Sequence, residues 1–206
     1  MTLNHVCFCA FSRLLCAAAL CSVSVFAHPP STPLTAVVLP DGRYSKVAVR
    51  EMSREAGHIL KRSGISLRAR IGAPPQAVNG LLVVVKLVGH CDMDGSPALL
   101  EPGPLAWAHE VDGAIIPFSG LACDNLRGAV AAAITAGNPV RGNLLLGRAM
   151  GRVLAHELYH IVADSAEHGR AGVTQAALTP RELTSGQLEL QPRAVIAVQK
   201  ELDGLR

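Results

Sequence analysis

The sequence predicts an α+β fold in which a mixed, twisted sheet packs against an N-terminal helix and a longer helix around residue 156. Three observations carry that reading. Apolar residues recur with helical period over residues 45–63. Residues 81–88 are β-branched and apolar on both faces, as in a central strand. Asp112-Gly113 separates two apolar stretches and is the strongest hairpin signal in the chain. The length of 206 residues suits one domain over 28–206, and a hydrophobic content of 50% supports a full core. With aromatics at only 3%, that core is aliphatic. A net charge of +3, with no basic run or interleaved aromatics, argues against a nucleic-acid partner.

The elements follow in chain order. Residues 1–27 read as a secretory signal peptide, with Arg13 before an uncharged stretch from Leu14 to Phe26 and Val25-Phe26-Ala27 at the cleavage site. That stretch is short for a bilayer span, although an uncleaved anchor is the rival reading. Cleavage leaves a secreted or periplasmic chain with no stable membrane association. Leu34 to Leu39 predicts a strand. Between Ser45 and Ser63, Val49, Met52, Ala56, Ile59 and Leu60 line one helix face, while Arg50, Glu51, Arg54 and Glu55 cover the other; Gly64 stops the helix. Ile65 to Ile71 alternates as a half-buried strand and ends at Ala73-Pro74-Pro75.

Leu81 to Val88 follows as the central strand, then a loop from Cys91 to Pro104. Leu105 to Val111 and Ala114 to Phe118 form the hairpin arms. Asn125 to Thr135 predicts a helix broken by Gly137-Asn138-Pro139. Leu144 to about Ala163 predicts the long helix, capped by Asn143 and facing the core through Met150, Leu154, Leu158 and Ile161. Gly147 and Gly151 invite close approach by another element. Thr179-Pro180-Arg181-Glu182 has the form of a capping box with proline in the first turn.

Loss of the leader removes Cys7, Cys9, Cys16 and Cys21 and leaves Cys91 and Cys123. A lone pair in an exported chain predicts one disulfide. A loop of that size stabilises by roughly 3 kcal/mol in the chain-entropy model. A thiolate metal site is the alternative, but the two cysteines lack a C-x-x-C spacing.

The chemistry-bearing motif is His156-Glu157-Leu158-Tyr159-His160. Residues four apart share a helix face about 6 Å from one another, so both imidazoles reach one Zn²⁺ ion. Glu157 lies beside that pair, where a carboxylate can take a proton from an activated water. A catalytic zinc needs a third protein ligand. His168 is the first candidate, on condition that the helix ends near Asp164-Ser165 and the chain folds back, since eight residues of straight helix would carry it about 12 Å along the axis. Glu182 and Glu189 are the rivals, with Glu182 also claimed by the capping box. Asp164 is placed to orient His160. His58, His90 and His109 read as structural or solvated, and His28 has no partner pattern for copper.

These residues resemble the zincin class of zinc metallopeptidases through His156-Glu157-x-x-His160 followed by His168-Gly169. They are also similar to a group of uncharacterised bacterial exported proteins with a His-Glu-Leu-Tyr-His core and a later His-Gly. The specific part spans 156–169; the order of elements extends the likeness to 34–169. The chain departs from the metzincin pattern: Ala163 replaces the glycine, the third histidine comes two residues late, and Met150 is the last methionine. The resemblance implies zinc held by His156, His160 and His168, with Glu157 as general base in peptide hydrolysis. The hairpin over Leu105–Phe118 would bind substrate in extended form. The alternative is an exported protein that binds zinc without turnover, suggested by the roughly 40 residues after His168 available for a pocket wall.

Overall fold

A computed structural model describes residues 31–94, 102–131, 133 and 139–205. The expected leader at 1–27, His28 and Gly137-Asn138 lie outside the described residues. The first strand, β1 (Thr32–Pro40), leads into helix α1 (Lys46–Leu60), then β2 (Ile65–Ile71), β3 (Leu81–Val88), β4 (Ala106–Val111) and β5 (Ala114–Ala122). Helices α2 (Cys123–Ala131), α3 (Pro139–Ala163), α4 (Pro180–Thr184) and α5 (Pro192–Gly204) complete the order. The strands form one sheet in the order β2-β1-β3-β5-β4. Every neighbouring pair is parallel except β4 with β5, so an antiparallel strand closes one edge.

The period of two along the strands decides which face is covered. Leu34, Ala36 and Val38 of β1, Val83, Val85 and Leu87 of β3 and Leu121 of β5 are all buried. They share one cluster with Met52, Ala56 and Ile59 of α1 and with Leu146, Met150 and Leu154 of α3. Burying each large aliphatic side chain contributes about 1.5–3 kcal/mol.

Local signals start and stop these elements. Ser45 caps α1 by accepting from the Ala48 amide at 3.4 Å, and Gly64 ends the following 3-10 turn at φ 83°, which costs a glycine little. Asp112 and Gly113 both take positive φ at the β4–β5 turn, where Val111 faces Ala114. The α1 and α3 helices approach closely at two glycines. A Cβ on Gly151 would stand 2.7 Å from that of Glu55, and one on Gly147 would run into the Ala48 carbonyl.

Four features differ from the sequence reading. The α3 helix begins at Pro139, earlier than Leu144, because a proline is tolerated in the first turn, where its missing N–H has no partner to lose. Asn143 is therefore inside the helix; its side chain is buried and accepts from the Met93 amide at 2.9 Å. Glu55 is buried on the polar side of α1, because Arg152 of α3 donates to it at 2.8 Å. Finally, the sequence reading assigns no element after Leu190, yet α5 packs there through Ala194, Val198 and Leu202 at a spacing of four.

Arg152 is itself 1% exposed and donates to the carbonyls of Glu182, Ser185 and Gly186. This one side chain fastens the segment after α4 to α3. Cys91 and Cys123 are paired as a disulfide with Cα atoms 4.9 Å apart, linking the loop after β3 to the first residue of α2. Among the described residues no helix is long and apolar enough to cross a membrane.

Candidate metal centre

The centre is built on the last two turns of α3. Met150, Leu154 and Leu158 hold that helix against the core, while His156 and His160 face a cleft. The helix stops at Ala163. Asp164 adopts φ 42°, a left-handed conformation that aspartate tolerates better than most residues, and the Ser165 amide donates back to the His160 carbonyl at 3.2 Å. The chain then reverses and brings His168 back over the helix. Its ring lies 5.2 Å from that of His156 and 4.9 Å from that of His160. One ligand nitrogen from each of the three lies within 4.8 Å of the others.

Backbone carbonyls orient the two helical rings. His156 Nδ1 donates to the Val173 carbonyl at 2.7 Å, and His160 Nδ1 donates to the Ser165 carbonyl at 2.5 Å. A carbonyl oxygen only accepts, so each Nδ1 carries the ring proton and each Nε2 presents a lone pair. Those two Nε2 atoms are 3.0 Å apart. Two lone pairs so placed repel each other and are stabilised by a shared cation. Burial keeps the rings in the neutral form that ligates. It lowers His156 to about 4, against the bond to Val173 and aided by the neighbouring imidazoles. Burial likewise lowers His160, against its bond to Ser165. Three imidazoles with one side open to a cleft are the donor set of a catalytic zinc site, so these residues fit that ion.

The expected role of Asp164 is corrected here. The Ser165 carbonyl orients His160, because Asp164 occupies the left-handed turn that ends the helix. Glu182 is held in its capping box, with Thr179 and Gln175 as partners, and Glu189 pairs with Arg62. His90 lies near Asp124 and His109 accepts from Trp107, away from the cluster; His58 is exposed on α1.

Glu157 is only 6% exposed. Burial pushes its carboxyl up to about 7, opposed by a bond from the Ala108 backbone amide. A carboxylate poised there can gain and lose a proton near neutral pH. Ala108 belongs to β4, which pairs with β5 alone among the described residues. The cleft has a volume of about 550 Å³, within the usual range for ligand sites. One wall is the Gly103–Ala108 segment leading into β4; another is the Gln175-Ala176-Ala177-Leu178 segment.

Sequence reasoning missed that second wall, and it missed the carbonyls of Ser165 and Val173. Backbone groups leave no trace in residue identity. The wall had an indirect signal, since a capping box immediately after Leu178 fixes where the segment must end.

No family model matches the sequence, and no curated protein matches it. Among solved structures the chain is similar to archaemetzincin from Methanopyrus kandleri, with 14% identity and a TM-score of 0.50, covering 84% of this chain and 96% of that one. At that identity the likeness is one of fold.

Proposed function

We propose that this chain is an exported zinc metallopeptidase of the zincin type, a single domain over 28–206 freed of the leader at 1–27. One observation carries the reading. The imidazoles of His156, His160 and His168 converge beside the buried carboxylate of Glu157, at the floor of a cleft large enough for a peptide. The likeness in fold to archaemetzincin supports it.

The residues divide the work. His156 and His160, held by carbonyls, and His168 from the returning loop are the ligands of the ion. Zinc, when bound, supplies a Lewis acid that polarises a carbonyl and activates water. Glu157 accepts the proton of the attacking water and delivers it to the leaving amine, a cycle that its raised affinity for protons favours. Substrate lies extended between β4 and the Gln175–Leu178 segment, with the outer edge of β4 offering main-chain hydrogen bonds.

The alternative, a zinc-binding protein without turnover, rests on the short chain after His168. Gln175–Leu178 supplies the wall that reading found wanting. Metal analysis and a peptide-library digest test both. Glu157→Ala is expected to retain stoichiometric zinc and lose about 10²–10⁴-fold in hydrolysis. His156→Ala and His168→Ala are expected to lose the metal. Undiminished cleavage by Glu157→Ala rejects the mechanism, and zinc without cleavage by the wild type selects the binding protein.

A further inference from the structure

We propose that Glu110 makes the cleft selective for peptides with a lysine or arginine about two positions from the bond that is cut, a specificity that rests on the peptidase reading above. The walls nearest the histidines cannot read charge. Val153, Ile115, Ala177 and Leu178 present only apolar surface, and among the described residues no lysine or arginine lines the cleft. That absence is notable in a chain with 19 lysines and arginines against 16 acids. Among the described residues, two acidic side chains reach the cleft, Glu157 and Glu110. The first is buried and engaged by the Ala108 amide. The second is exposed, and among the described residues no ion pair or hydrogen bond engages its carboxylate.

The strand period gives the position. Side chains two apart on a strand share a face and stand roughly 7 Å from each other. Ala108, whose amide holds Glu157, and Glu110 lie two residues apart on β4 with a register shift of the β4–β5 pairing between Ala108 and His109; both line the cleft, and Glu110 sits opposite Ile115, also in the lining. A substrate strand laid along this edge repeats the same period. Because Ala108 and Glu110 line the same cleft two positions apart, a side chain about two positions from the reacting carbonyl arrives beside a carboxylate with no counter-charge among the described residues. A cation there is attracted, and an acid is repelled.

The test uses two fluorescent decapeptides identical except for Lys or Glu at that position, titrated onto zinc-loaded Glu157→Ala so that binding is read without turnover. The lysine peptide is expected to bind about tenfold tighter at low ionic strength, with the ratio falling as salt is added. Adding Glu110→Gln is expected to bring the ratio near one, and Glu110→Lys to reverse it. A ratio unmoved by Glu110→Lys overturns the selectivity. Cleavage of both peptides at equal rates by the wild type overturns it too, while leaving the peptidase reading in place; failure of both peptides to bind overturns both.

Discussion

His168 completes the histidine trio at the one position that helix geometry does not supply. His156 and His160 are neighbours because four residues make about one turn, and that relation is written in their spacing. His168 joins them only because Asp164 turns left-handed and the chain reverses over the helix end. Aspartate and serine after a helical run hint at a stop, but the return path depends on the 3-10 turn at Gly172–Thr174, whose Val173 amide donates to the Glu189 carbonyl at 3.0 Å. Glu182 shows how a residue read for one role performs another. Its carboxyl is held down at about 2 by the Thr179 amide, then by the Thr179 hydroxyl and the Gln175 side chain. It thus secures Gln175 and Thr179, which bracket the far wall of the cleft. A carboxyl depressed on folding contributes stability above its ordinary value of 4.5 and loses it as pH falls from there through about 2. The difference in stability between the wild type and Glu182→Gln, from urea melts at stepped pH, is therefore expected to shrink over that interval. A difference constant with pH would place the carboxylate outside the native network.

The helix that carries His156 and His160 is set by its close approach to α1. The contact between α1 and α3 passes over Gly147 and Gly151, where side chains would strike the backbone of α1. Gly151→Ala is expected to destabilise the fold by about 1–3 kcal/mol through overpacking, read as a lower urea midpoint with an unchanged slope. An unaltered midpoint would mean that the helices separate at little cost. The glycines are legible in the sequence as small residues one turn apart; their partner is not, since Ala48, Met52 and Glu55 lie about a hundred positions earlier. The same distance hides the burial of Glu55, which looks solvent-facing until Arg152 is brought beside it. The α4 capping box is the opposite case. All its hydrogen bonds run within four residues, so Thr179 and Glu182 announce it unaided. The α5 helix is legible too, since Ala194, Val198 and Leu202 recur at a regular spacing of four.

Across the whole molecule the centre joins parts that are remote in sequence. The helix α3 carries two histidines, the returning loop a third, β4 holds Glu157, and the segment after Leu178 is fastened back to α3 by Arg152. An ion gripped by helix and loop together stabilises the folded state by mass action, by about 2.7 kcal/mol at a hundredfold excess over the dissociation constant. For a chain of this size that corresponds to a rise in Tm of roughly 5–10 °C on adding zinc, absent in His156→Ala. Calorimetry showing no zinc-dependent rise in the wild type would contradict the shared site. Residue order alone settles what is local: the period of β1, α1, β2 and β3, the α4 capping box, and the pairing of two imidazoles one turn apart. Folding in three dimensions settles what is not: the sheet order β2-β1-β3-β5-β4, the burial of Glu55, the carbonyls that aim the imidazoles, and the far wall of the cleft. The division has one cause. Periodicity and capping act between residues a few positions apart, whereas a backbone carbonyl or a distant helix face becomes a partner only once packing has chosen its neighbours.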